Sequence, residues 1–195
     1  MSMICGGIVT LAYAYLDPST YMMDVKEKIG FKEDESRVYV FGGGHVGKEV
    51  VDLLAHVGFK VVLIDNRAEF ASKERHPRAE KTIVGDYSNI SRDVTINNED
   101  YVVIMTHGHV GDRDVLLQAC KTGATYIGCI GSKRKIAMTQ SFLRENGIKE
   151  DVIKAIHSPI GIELYGDSPE EIAVSVAAEL IRHRAMLSKG IKEEL

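Results

Sequence analysis

The chain has few cysteines, no surplus of positive charge and no apolar run long enough to cross a bilayer, and each shortage closes off a class of function. The three cysteines, Cys5, Cys120 and Cys129, show no CxxC spacing and leave an odd count. That usage argues against a secreted disulfide framework and points to a reducing cytoplasm. A net charge of -4, from 24 Lys and Arg against 28 Asp and Glu, provides no electrostatic footprint for nucleic acid or for an anionic membrane surface. The apolar stretch 4–16 is broken by glycines and polar residues and has no basic residues before it. It is too short to span a bilayer and lacks the layout of a signal peptide, so it reads as a strand. The expectation is a cytoplasmic protein with neither membrane nor nucleic acid as partner.

The rest of the composition is that of a globular protein. Of 195 residues, 45% are hydrophobic and 27% charged, close to the average for soluble domains. A chain of that length buries roughly 70% of its unfolded surface and needs no disulfide or metal staple.

The pattern divides into three parts: a strand segment at 1–20, a linker at 21–36 ending in Lys32-Glu33-Asp34-Glu35, and one α/β domain over 37–195. Within that domain, strands are expected at 37–41, 61–64, 81–84, 101–105 and 125–130. Helices are expected at 48–57, 114–122, 134–145 and 169–184. The last has a strong start signal: Ser168 as N-cap, Pro169 at the first helical position and Glu171 to complete a capping box. Its apolar face, Ile172, Ala173, Val174, Val176, Ala177, Leu180 and Ile181, is broad enough to pack on the sheet or on a second copy of the chain. Alternating strands and helices imply a Rossmann-like doubly wound sheet, mostly parallel, with helices on both faces and ligands along the strand C-termini.

Four segments carry candidate chemistry. Gly42-Gly43-Gly44-His45-Val46-Gly47 follows an expected strand directly and opens a helix, the context a dinucleotide loop requires. One glycine permits the turn, the next lets phosphate approach the backbone and the last lets helix and strand pack, while the helix start offers N–H groups to the anion. His45 either donates to a phosphate, caps the helix or faces solvent. Asp65, at the end of the second strand, is placed to accept from ribose hydroxyls, which favours NAD, whereas Arg67 offers a partner to the phosphate of NADP.

The second segment is Thr106-His107-Gly108-His109 with Asp112 and Asp114. Its histidines and carboxylates suit a metal, or a general base oriented by an aspartate, or a ligand contact, or simple helix capping. The third is Gly131-Ser132-Lys133-Arg134-Lys135, where cations sit against the positive end of a helix dipole and an anion would relieve them. The fourth, His157-Ser158-Pro159-Ile160-Gly161, asks for a defined turn. No metal site is assigned among these, and whether the chain is an enzyme is left open.

Five strings in order, VYVFGGGHVGKEV (38–50), VVLIDNRAEFASKERHP (61–77), MTHGHVGDRDVL (105–116), YIGCIGSKRK (126–135) and HSPIGIELYGDSPEEIAVSVAAELI (157–181), resemble the Rossmann domain of the xanthine dehydrogenase accessory (XdhC/CoxI) family. The resemblance implies a maturation factor for a molybdenum hydroxylase that binds the molybdenum cofactor, assists its sulfuration and delivers it to the client enzyme, with a sulfur donor as a further partner. The family's N-terminal domain is mostly not represented here, and 4–10 resembles its closing strand. Cys5, in that segment, is a candidate as a thiolate able to contact molybdenum or carry sulfur, and the favoured reading is a small residue in a strand.

The nucleotide loop keeps two other readings alive: an NAD(P)-dependent oxidoreductase, and a nucleotide-sensing regulatory module. Self-association as a dimer is expected from the apolar last helix. His107, His109, Asp112 and Cys5 are the catalytic candidates if the chain catalyses anything.

Overall fold

The computed structural model describes residues 36–191. The strand segment at 1–20, the linker up to residue 35 and Cys5 lie outside the described residues.

Five strands, β1 (Arg37–Phe41), β2 (Lys60–Asp65), β3 (Lys81–Val84), β4 (Tyr101–Ile104) and β5 (Tyr126–Cys129), form one sheet in the order β3-β2-β1-β4-β5. Every pairing is parallel. Strands of this kind are covered on both faces, which is why RVYVF, KVVLID and YVVI read as continuous apolar runs and not as alternating ones. Side chains still alternate across the sheet. Val38, Val40, Val61, Leu63 and Val103 enter one core layer with α1 (His45–His56) and the last helix α5 (Pro169–Lys189). Tyr39, Phe41, Val62, Ile64, Val102 and Ile104 enter the other, with α2 (His109–Ala119), α3 (Lys133–Glu145) and the short α4 (Glu150–Lys154). The expected doubly wound α/β arrangement is therefore the one observed.

The chain leaves β1 toward one face and β4 toward the other. The strand order reverses between them, so the crevice at their C-terminal ends is the topological switch point where such sheets bind ligands.

Helix ends follow the strength of their caps. Ser168 accepts from the Glu171 N–H while Glu171 reaches back to the Ser168 N–H, and α5 starts at Pro169 as expected. Ser132 accepts from the Lys135 N–H and starts α3 at Lys133, one residue before the expected boundary. The two other helices begin earlier than expected: α1 at His45 behind Gly44, and α2 at His109 behind Gly108. Ala173, Val176, Ala177 and Leu180 of α5 are buried, whereas Val174 and Ile181 stay exposed. Among the described residues no helix is long and apolar enough to cross a membrane.

Candidate functional site

The three polar loops expected at the ligand edge do lie side by side, because they follow β1, β4 and β5. Gly42 donates to the Ile64 carbonyl at 2.8 Å, Met105 to the Phe41 carbonyl at 2.8 Å, and Ile130 to the Ile104 carbonyl at 2.9 Å. Each loop thus departs from a fixed point on the sheet.

The glycines of the first loop have different reasons to be glycine. Gly42 has φ +115°, and a Cβ there would stand 2.2 Å from the Met105 carbonyl oxygen. At Gly47 a Cβ would stand 2.0 Å from the Gly42 carbonyl oxygen, so helix and loop touch backbone to backbone. At Gly43 it would meet the Phe70 carbonyl oxygen at 2.2 Å. Gly44 differs: its φ of -64° suits any residue, and nothing lies within 4 Å of where its Cβ would be. No protein neighbour requires glycine at the start of α1. His45, next to it, is exposed.

Asp65 ends β2 fully buried. Its carboxylate accepts from the Gly43 N–H at 2.8 Å, the Arg67 N–H at 2.9 Å, and the Arg67 Nε and Nη2 at 3.0 Å each. Burial pushes this carboxyl upward, but the Arg67 guanidinium and the two backbone donors outweigh it and hold Asp65 below the usual aspartate range. The Arg67 guanidinium carbon lies 3.7 Å from the Phe70 ring centroid, and that of Arg75 lies 4.8 Å from it. Arg75 Nε donates to the Gly43 carbonyl at 3.2 Å.

Segment 70–76 also brings in His76, fully buried, with its Nε2 at 2.9 Å from the Phe70 carbonyl. A carbonyl only accepts, so Nε2 carries a proton. Burial lowers the His76 pKa; the Phe70 carbonyl opposes this and Arg75 adds to the lowering. With the folded pKa below the ordinary 6.5, the unfolded chain binds the extra proton first. Stability is therefore complete above about 6.5 and falls as pH drops below it toward the folded value. Thermal melts between pH 7.5 and 5.5, a range spanning the ordinary histidine pKa, are expected to show a falling Tm. His76→Gln, which keeps a donor and has no such titration, should flatten that slope, and an equal slope in both proteins would refute it.

The second loop is held from inside. Asp112, in the first turn of α2 and almost fully buried, accepts from the Thr106 N–H at 2.9 Å and from Thr106 Oγ1 at 2.7 Å. It also pairs with the Lys135 ammonium from the start of α3. Asp112 thus orients Thr106 and Lys135 and not a histidine, and one of the three cations of the third loop is taken up internally. His107 and His109 are both exposed. Among the described residues no group of three or more His, Cys, Asp or Glu is placed to hold a metal ion. His109 lines, with Arg113, Lys135, Met138 and Thr139, a cavity of about 260 Å³ between α2 and α3.

Arg134 is exposed at the α3 start, and Gly131 and Ser132 precede it with Ser132 as the cap. Lys133 is the first residue of α3. Val46 is half-buried against the core.

The buried Cys129 thiol is pushed up to about 12 by burial and by the Asp112 carboxylate, and burial raises Cys120 to about 11. Both remain protonated near neutrality and are poor nucleophiles.

The fourth loop serves packing. The His157 N–H donates to Ile127 and its carbonyl accepts from Cys129, both at 2.9 Å, which fastens it alongside β5. His157 Nδ1 lies 2.6 Å from the Glu179 carboxylate, whose other oxygen accepts from the Gly161 N–H. The result ties α5 to the sheet edge. Phe70, Arg75, Lys135 and Glu179 were not legible as partners of these loops, since each pairing joins residues far apart in sequence.

With the geometry in place, the similarities are informative. The XdhC Rossmann domain family matches residues 38–180. A protein of Bacillus subtilis (strain 168) described as a probable xanthine dehydrogenase subunit is 27% identical over 177 residues, covering 91% of this chain and 50% of that protein. The uncharacterized protein YqeB of Escherichia coli (strain K12) is 27% identical over 147 residues, covering 75% of this chain and 27% of that protein. A crystal structure described as a xanthine dehydrogenase from Bacillus halodurans superposes with a TM-score of 0.71 at 29% identity, covering 80% of this chain and 46% of that one. The chain thus spans half or less of the length of these proteins.

Proposed function

The chain belongs to the XdhC Rossmann-domain family, and from that premise we propose that it is an accessory factor for a molybdenum hydroxylase of the xanthine dehydrogenase type. In this reading it binds a phosphate-bearing cofactor, the molybdenum cofactor, at the β1–β4 crevice and assists its sulfuration or insertion. The names carried by the Bacillus relatives support the client class.

The observation that carries the ligand reading is Gly44. It is a glycine that no internal contact requires, at the N-terminus of a long helix whose N–H groups favour an anion. An approaching phosphate supplies the missing reason. Gly42, Gly43 and Gly47 give the loop its shape, and Thr106 of the neighbouring loop lies against Gly42. Gly131, Ser132, Lys133 and Arg134 begin a second helix at the same edge, suited to a second anionic group. His107 and His109, exposed beside them, are the groups that would meet the cofactor's head.

Equilibrium binding of the molybdenum cofactor to the purified chain, alone and with its client hydroxylase, tests the reading. Micromolar binding is expected, and no binding in either format overturns it. NAD(P) is the alternative occupant, favoured by the Gly42–Gly47 spacing itself, and turnover of NAD(P)H by the chain would establish that reading instead. The exposed Val174 and Ile181 of α5 suit a dimer contact. Light scattering is expected to give twice the chain mass, and a clean monomer would overturn this part.

A further inference from the structure

A carboxylate presents about four acceptor positions, two on each oxygen. In Asp65 all four are taken: Oδ1 by the N–H and Nε of Arg67, Oδ2 by the Gly43 N–H and Nη2 of Arg67. A ribose diol is read by an acid that accepts from its two hydroxyls, and this acid has nothing left to accept with. Arg67 cannot leave at no cost. Its departure would strand a carboxylate that is fully buried and would break the stacking of the guanidinium on Phe70. The paired fork of Arg67 on Asp65 is the bidentate geometry that makes such pairs strong.

The pair also shapes the loop. Asp65 holds the N–H of Gly43, Arg75 holds its carbonyl, and the Phe70 carbonyl fills the place of its absent side chain. The Gly43 peptide plane is therefore fixed from both ends immediately before Gly44.

We propose that Asp65 and Arg67 form a closed latch that positions the glycine loop and is unavailable to a sugar, so that the loop selects a phosphate ester and is indifferent to the ribose diol. This rests on the phosphate-binding reading of the loop and narrows its ligand class: the phosphate is recognised, whatever carries it. Asp65 is a positioning residue here and does not touch the ligand.

The test compares ADP with 2′,3′-dideoxy-ADP by equilibrium binding, alongside amide hydrogen exchange at Gly43 in the unmutated protein and in Asp65→Asn. The two nucleotides are expected to bind alike. Loss of a diol read by a charged acid would instead weaken binding by about tenfold or more, and that result overturns the proposal. Asp65→Asn is expected to weaken both nucleotides equally and to speed exchange at Gly43, because its N–H loses a charged acceptor. Selective loss of ADP binding alone would identify a diol reader.

If neither nucleotide nor inorganic pyrophosphate binds, the phosphate reading falls. The latch is then judged on Gly43 exchange, where protection unchanged in Asp65→Asn refutes it. Should that variant not fold, Arg67→Lys removes the fork and keeps the charge. Faster Gly43 exchange in it supports the latch, and unchanged protection refutes it.

Discussion

Gly47→Ala is expected to lower the folding stability by about 3 kcal/mol, the upper range for forcing atoms into filled space. In an open helix the same change would be favourable by about 1 kcal/mol. Here the new Cβ would stand 2.0 Å from the Gly42 carbonyl oxygen and 3.0 Å from its carbon, with Met105 Sδ at 3.7 Å. Backbone cannot rotate aside as a long side chain can, so steric conflict overrides propensity. The urea midpoint reads the effect directly, and a loss below about 1 kcal/mol, within the range of ordinary surface changes, would mean that helix and loop are not in contact.

Lys135→Met is expected to cost about 3 kcal/mol, because Asp112 would be left as a buried charge without its partner. Asp112→Asn should cost a similar amount by leaving the Lys135 ammonium against a partner with no charge. The double variant Asp112→Asn/Lys135→Met removes both charges while the asparagine oxygen can still accept from Thr106. It should lie within about 1.5 kcal/mol of the unmutated protein, since buried pairs are nearly neutral against apolar replacements. Chemical denaturation of the four proteins gives the coupling. Simple additivity of the two single losses would contradict the ion pair as the link between the β4 and β5 loops.

The sheet was legible because its strands are covered on both faces and stand out as short apolar runs between turn residues. The caps explain why some helix boundaries were readable and others were not. Ser168 and Ser132 announce α5 and α3 through side chains that accept from backbone N–H groups. Gly44 and Gly108 start α1 and α2 with no side chain to signal it, and so both helices begin before their expected positions. The earlier start of α2 places Asp112 inside the first turn, where it reaches inward to Thr106 and Lys135 and not to a histidine.

At the site, residue positions were readable and partnerships were not. The glycine loop and Asp65 lie where the spacing puts them. Yet Arg67, read as a partner for a ligand phosphate, has its fork on Asp65 itself. The cover formed by Phe70, Arg75 and His76 has no periodic signature; its contacts join residues 43 and 75 across the sheet edge. A linear pattern records which side chains are available, but charge pairing and desolvation in the folded state decide which remain free to meet a ligand.

Approach of a phosphate-bearing cofactor to the backbone at Gly44 is tested by binding of the molybdenum cofactor to Gly44→Val. Because the site of the new side chain is open, the variant should melt within a few degrees of the unmutated protein, matching a stability change of about 1 kcal/mol or less. Micromolar binding by the unmutated chain with at least a hundredfold weaker binding by the variant, about 2.7 kcal/mol, is the expected result. Equal binding by both proteins would contradict that approach and move the ligand away from the glycine loop.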